Sequence, residues 1–219
     1  MQEFFKGIHR ALGVGVGYFP VAMSFGALAT GLGISTSAAV TMSVWVYAGA
    51  AQFAALEGVK QDLFWVSIVL TMLLINLRHI PMSLASNRIF NSFGLGQQLF
   101  LAHGLTDEAF ALDITSKVRS HFYYFGIHTL CWLSWISGTW LGCQIGAKLP
   151  VQWLSFALPS LFICLLVDSI GDRLGREWWV VAIGVGLVLV IQGWGTVGFL
   201  LSILGVTVMA ALLPRIREW

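Results

Sequence analysis

Apolar residues run almost without interruption through eight stretches, at about 11–33, 38–56, 62–86, 97–115, 121–147, 152–171, 177–193 and 196–213, divided by short polar or glycine-rich breaks. The runs do not alternate with a period of two, so they predict helices and argue against the strands of a barrel. A helix of about 20 residues crosses the hydrocarbon core of a bilayer. The 46 residues between Arg10 and Glu57 contain no Asp, Glu, Lys or Arg, which is room for two crossings. Inside that interval lies Gly31-Leu32-Gly33-Ile34-Ser35-Thr36-Ser37. Its glycines and capping hydroxyls predict the end of one helix and the start of another.

Composition turns this pattern into a class. With 58% hydrophobic and 10% charged residues and a mean hydropathy of +0.83, the chain lies far from the roughly 25% charged composition of soluble domains. The expected fold is an all-α integral membrane protein: a multi-span helical transporter bundle in one domain over residues 1–219, with six to eight crossings and some helices broken or re-entrant. MQEFFKGIHR leads straight into a spanning-length segment and reads as no removable signal peptide. Cys131, Cys143 and Cys164 are isolated among apolar neighbours and read as packing residues, not metal ligands. A net charge of +2, spread over loops, gives no sign of nucleic-acid binding.

The twelve basic residues orient the chain. If all eight segments cross and the N-terminus is cytoplasmic, Lys6, Arg10, Lys60, Lys117, Arg119, Arg173, Arg176, Arg215 and Arg217 fall inside, with Arg88 and Lys148 outside. Treating 11–33 and 97–115 as re-entrant moves Lys60 out and Arg88 in and scores equally well. Both schemes put both termini in the cytoplasm. Trp65, Trp153, Trp178, Trp179, Trp194 and Trp219 lie near segment ends, as interfacial anchors do. Trp45, Trp132, Trp135 and Trp140 lie deeper, where they fill space between helices or line a pocket.

Four polar intrusions carry the candidate chemistry. In WVYAGAAQFAAL, residues 45–56, the small residues allow close helix approach, Gly49 weakens the helix, and the Gln52 amide needs partners in a dry environment. In LLINLRHIPMSLA, residues 73–85, Asn76, His79 and Ser83 share one helical face while Arg78 points about 200° away from Asn76. Pro81 withholds a donor from the Leu77 carbonyl and can distort the helix there. Arg78 is either a snorkelling residue at a helix end or a buried counter-charge. In LAHGLTDEAFALDIT, residues 101–115, His103, Thr106, Asp107 and Phe110 fall on one face and Glu108 on another. Acids at membrane depth pair or line a wet cavity, and Arg78 is the expected partner of Asp107 or Glu108. In WLSFALPSLFICLLVDSIG, Pro159 breaks the ladder and Ser160 can satisfy the freed backbone, while Asp168 suits a helix end. Breaks at 48–51 and at 159 suggest an internal repeat.

Several stretches match a known family. Gly17-Tyr18-Phe19-Pro20, Ser24-Phe25-Gly26, Met42-Ser43, Tyr47-Ala48-Gly49-Ala50-Ala51-Gln52-Phe53, Asn76-Leu77-Arg78-His79, Leu105-Thr106-Asp107-Glu108-Ala109-Phe110, Leu133-Ser134-Trp135 with Gly138-Thr139, and Phe156-Ala157-Leu158-Pro159-Ser160-Leu161-Phe162 run in family order. Over about residues 10–170 the chain resembles the AzlC-like (YgaZ-like) large subunits of bacterial branched-chain amino acid exporters. The resemblance implies export of valine, leucine, isoleucine and in some members methionine, a location in the bacterial inner membrane, and a separate small AzlD-like (YgaH-like) membrane subunit. It departs at Ile80-Pro81-Met82-Ser83, where relatives carry a leucine- and tyrosine-rich sequence.

The expected activity is a secondary carrier of a zwitterion with an apolar side chain, working by alternating access. Such a solute needs donors for its carboxylate, an acceptor for its ammonium, and a dry wall. Arg78 and the broken helix ends at Gly49, Pro159 and Ser160 offer the first, with Gln52 and Asn76 as further contacts; Asp107 or Glu108 offers the second; Tyr47, Phe53, Phe110 and Phe156 offer the third. His79 or His103 is the candidate carrier of a coupling proton. No P-loop, G-x-S-x-G or H-E-x-x-H motif occurs, so the expectation is a protein that is not an enzyme and uses no cofactor or metal. A channel-like or scaffold subunit is the alternative.

Overall fold

The computed structural model describes residues 1–116, 118, 120–146 and the helical residues 182, 185, 186 and 189. Eight helices are placed, all in the compact unit Met1–Phe162: α1 (Gln2–Gly31), α2 (Thr36–Trp45), α3 (Gly49–Lys60), α4 (Trp65–Asn76), α5 (His79–Phe90), α6 (Leu95–His103), α7 (Asp107–Thr115) and α8 (His121–Ile145). Phe156, Pro159 and Ser160, expected at the site, lie outside the described residues, as do the apolar segments 152–171 and 196–213 and most of 177–193.

The frame is a parallel pair, α1 and α8. Gly7 of α1 faces Tyr123, Gly15 faces Leu130 and Ser134, and Gly26 faces Thr139 and Cys143, so the two helices rise together along their whole length. The backbones touch: a Cβ on Gly26 would sit 2.1 Å from the Thr139 carbonyl oxygen, and one on Gly142 would sit 2.1 Å from that of Met23. Lipid tails provide no hydrophobic force between helices, so such close small-residue packing is what holds them together. The 30 residues of α1 form an unbroken helix of about 45 Å. The re-entrant alternative for 11–33 is therefore corrected: this segment is a full-length helix.

The next two helices form a hairpin instead of a crossing. Gly33, at φ +80°, turns the chain, and Ser35 caps α2 by accepting from the Ala38 amide at 3.2 Å. Along α2, Ala39 packs in a cluster with Cys143, Ser43 bonds Thr139 at 2.7 Å, and the Val44 carbonyl accepts from Trp132 Nε1 at 3.2 Å, so α2 runs antiparallel to α8. The chain breaks at Val46-Tyr47-Ala48, with Tyr47 in the left-handed region at φ 43°, a conformation that costs a non-glycine residue of order 1 kcal/mol or more. Then α3 returns: Gly49 meets the Trp135 ring, Gln52 donates to Ser43 at 3.1 Å, and Leu56 is back in the cluster of Ala39 and Cys143.

The pair α4–α5 runs the full depth in the opposite sense, from Ile68 against Gly58 down to Phe90, whose ring meets Tyr124 at 5.2 Å. It kinks at Leu77-Arg78. Pro81 falls in the first turn of α5, where a backbone donor has no intrahelical partner to miss, so the proline sets the break without breaking α5 itself. No residue of α4 is buried, and its apolar surface faces outward.

A second hairpin enters from the other end. Phe93 packs on His121, Phe100 on Phe125 and His103 on Trp132, so α6 rises along α8. After Gly104-Leu105-Thr106 the chain descends again through Glu108 beside Tyr18 and Asp113 beside His128. The hairpin tips meet: the rings of Tyr47 and His103 lie 6.2 Å apart, and His103 Nε2–H donates to the Val44 carbonyl at 2.9 Å. Two expected stripes are corrected by these breaks. Asn76, His79 and Ser83 do not share one continuous helix, nor do His103, Thr106, Asp107 and Phe110. The breaks that mirror one another among the described residues are at 46–48 and 104–106.

Candidate functional site

Three broken helices deliver their first residues to one pocket. Ala48, Gly49 and Ala50 come from the start of α3, Arg78 and His79 from the start of α5, and Thr106, Asp107 and Glu108 from the start of α7. Tyr18 of α1, Tyr47 of the first tip and Trp135 of α8 close it. The empty space, counted with its open mouth, is about 440 Å³. At the start of α3 no side chain caps the backbone amides, whereas α5 begins with the Ile80 amide bonded to the Leu77 carbonyl and with Pro81, which has no amide hydrogen. Free amides and the positive end of the helix dipole make a terminus like that of α3 receptive to an anion.

Charge is arranged across the pocket. Arg78 donates through Nη1 to Asp107 Oδ2, and the two side chains are 33% and 38% exposed, so the pair is open to a solute. Arg78 Nε and Tyr47 Oη are buried without a hydrogen-bond partner among the described residues, as is Asn76 Oδ1 behind them. Glu108 is 7% exposed and accepts from the Tyr18 hydroxyl, which lies 2.7 Å from Thr106 Oγ1. Thr106 in turn caps α7 by accepting from the Ala109 amide at 3.2 Å. Two carboxylates thus occupy different surroundings. Asp107 is held by a guanidinium at the pocket mouth, while Glu108 is held by a phenol within.

Of the expected site residues, Tyr47, Gly49, Arg78, His79, Asp107 and Glu108 come together here. His79 donates through Nδ1–H to the Asn76 carbonyl at 3.0 Å, which bridges the kink between α4 and α5. Others are placed elsewhere. Gln52 is fully buried, donates to Ser43, and accepts from Trp135 Nε1 at 3.0 Å, so it ties the first hairpin to α8 and fixes a pocket wall from behind. Phe53 packs on Phe25 at 5.8 Å, and Phe110 lies beside α7's pocket end without lining it. His103 joins the hairpin tips and does not line the pocket. Trp45 and Trp140 are 74% and 53% exposed, so neither fills a gap between helices nor lines a pocket.

Tyr18, Ser43 and Thr139 act at or behind the site without having been assigned there from sequence. So does the buried pair of Asp113 and His128. A histidine in the middle of the 121–147 apolar run is itself a signal of intramembrane polar chemistry.

Helices that break around a charged pocket, on a frame whose outer surface is apolar, suit a membrane protein. The chain matches the AzlC protein family over residues 13–149 and belongs to it. It is 35% identical to the inner membrane protein YgaZ of Escherichia coli over 181 residues, covering 76% of this chain and 73% of that one. It is 33% identical to a membrane protein of Archaeoglobus fulgidus over 175 residues, covering 78% and 77%. It is 23% identical to the branched-chain amino acid transport protein AzlC of Bacillus subtilis over 159 residues, covering 70% and 62%. It is a protein of the inner membrane. No solved structure matches it.

Proposed function

We propose that this chain is the solute-carrying subunit of a secondary transporter that moves branched-chain amino acids, and methionine with them, out of the cytoplasm. The observation that carries this reading is the convergence of three helix starts, Arg78, Asp107 and Glu108 on one pocket walled by aromatic rings. A zwitterion is neutral overall but has two full charges a few ångströms apart. The free amides at the start of α3 with Arg78 suit its carboxylate, Asp107 or Glu108 suits its ammonium, and Tyr18, Tyr47 and Trp135 suit an apolar side chain. The names of the Bacillus and Escherichia relatives support the substrate class and the membrane. Export direction and the small AzlD-like partner subunit rest on the family resemblance.

The two hairpins supply the gates in this reading. They enter from opposite ends of the frame and touch at Tyr47, Val44 and His103, so withdrawing either tip opens the pocket to one side only. Purified chain in liposomes, alone and with the small subunit, is expected to give saturable valine flux that leucine competes for. Flux that is absent, or that rises linearly with valine in both preparations, overturns the carrier.

The hairpins also favour one of the topologies. With 38–56 and 97–115 re-entrant and α1, α4–α5 and α8 crossing, Lys60 is outside and Arg88 inside, and six crossings place both termini in the cytoplasm. Nine basic residues then lie inside against Lys60 and Lys148 outside. A single cysteine replacing Lys60 in a cysteine-free background should react with an impermeant maleimide added to intact cells, and one replacing Arg88 should not. The reverse labelling would restore the eight-crossing scheme.

A further inference from the structure

Among the described residues, Asp113 and His128 form the one ion-pair contact that is wholly buried: both side chains are 0% exposed, and His128 Nε2 lies 2.9 Å from Asp113 Oδ2. Neither lines the pocket. Each also keeps a buried atom with no partner among the described residues, Asp113 Oδ1 and His128 Nδ1. A pair kept only to join two helices has no need of ionisable groups, since unpaired buried polar atoms cost free energy that a well-packed apolar contact does not.

We propose that Asp113 and His128 together bind the proton whose movement drives the solute, a proposal that rests on the carrier reading. The pair has three protonation levels. With no proton it carries one negative charge, with one proton it is neutral overall, and with two it carries one positive charge. In a site closed to water, both net-charged levels are disfavoured, so the closed site holds one proton. Giving that proton up requires water or a compensating charge to reach the pair, which requires α7 to part from α8.

The placement of the pair links this step to the solute. Asp113 lies six residues, about 9 Å, along α7 from Asp107, so one rigid leg of the second hairpin carries both the pocket acids and the proton acceptor. Movement of that leg exposes the pair and shifts the pocket acids in a single displacement. A proton bound from outside and released inside then runs opposite to the exported solute.

The groups around the pair identify what titrates. On α8, Tyr124 and Cys131 lie near Asp113, and Tyr124 donates to the Val118 carbonyl at 2.7 Å. Glu108 lies further up α7, with Tyr18 of α1 bonded to it. From α5 the Phe90 ring approaches His128 at 6.4 Å, and Gly104 of the second tip abuts His128 Nδ1; neither titrates. Phenols and thiols are ordinarily neutral near pH 7, which leaves the pair itself and Glu108 as the groups to separate by experiment.

The test uses the full-length protein in liposomes, with pH-difference infrared spectroscopy and valine flux measured on the same preparations. A protonated-carboxyl band that responds to pH is expected in the parent protein and in Glu108→Gln. It should vanish in Asp113→Asn and change its midpoint in His128→Gln. Asp113→Asn should keep valine-for-valine exchange but lose the acceleration that an inward pH gradient gives the parent. Survival of the band in Asp113→Asn, or an undiminished response of that variant to the gradient, overturns the proposal. If Asp113→Asn does not yield folded protein, an unmoved band midpoint in His128→Gln overturns it instead. A parent protein that moves no valine but shows the Asp113-dependent band would sink the carrier reading while leaving the proton site standing.

Discussion

Replacing Arg78 with glutamine, or Asp107 with asparagine, is expected to reduce saturable valine flux about 100-fold, the effect of removing a charge-assisted contact worth roughly 3 kcal/mol. The protein should still reach the membrane and purify as a single species. The reasoning weighs two costs. The Arg78–Asp107 pair is a third or more exposed on each side, so its contribution to stability is about 1 kcal/mol or less. Its contribution to binding a zwitterion is larger, because the solute's charges must leave water and find replacements in the pocket. Arg78→Lys should fall between the parent and Arg78→Gln, since lysine keeps the charge and loses the fork. Initial rates of labelled valine efflux measure all four. Full flux in Arg78→Gln or Asp107→Asn would remove that residue from the binding site, and equal loss of folded protein would assign the pair to the scaffold.

The second large effect lies far from the charges. Gly142→Leu should abolish recovery of folded protein, because the first added carbon would stand 2.1 Å from the Met23 carbonyl oxygen and 2.7 Å from the Met23 Cα. Main-chain atoms cannot turn aside as a side chain can, so α1 and α8 would have to separate. Overpacking a core usually costs about 1–3 kcal/mol, and a seam that runs the length of both helices spreads the separation over many contacts. Gly13→Leu is the control, since nothing lies within 4 Å of a Cβ there. Yield and the thermal midpoint of aggregation in detergent should distinguish the two: Gly13→Leu close to the parent, Gly142→Leu without a transition. A Gly142→Leu protein as stable as the parent would mean that the seam is looser than the frame described above.

The sequence carried the pairing of Arg78 with the acidic stretch because charge at membrane depth has few ways to be satisfied, and only one basic residue lay inside an apolar run near two acids. It also carried the break near Gly49, where small residues cluster before a lone amide. Direction was hidden. A helix that crosses and a helix that turns back at half depth have the same composition, and the positive-inside count treats them alike when two segments exchange roles. The structure places helix breaks within 97–115 and within 38–56, whereas 11–31 belongs to one unbroken helix. Within 38–56 the break falls at Tyr47, whose positive φ no helical periodicity foretells. Helical-wheel faces failed at Thr106 for a related cause: a wheel drawn through a break compares residues that do not share an axis. Asp113 and His128 are 15 positions apart and belong to different helices, so no local spacing connects them.

The seam between α1 and α8 bears on how the protein is made. Gly26 and Thr139 touch although they lie 113 positions apart in the chain. During synthesis the first helix enters the bilayer long before its mate exists, and it waits there with its glycine face against lipid. Both hairpins must also wait, because α8 is the surface on which each is tied, through Thr139 and Trp135 for one and His128 for the other. Assembly therefore depends on the last of the eight helices to be translated, and a ribosome that stalls before residue 146 leaves a set of inserted segments with no frame to close on. Contacts so distant in sequence are slow to form. Until α8 is made, the glycine face of α1 lacks the helix that it packs on in the finished frame.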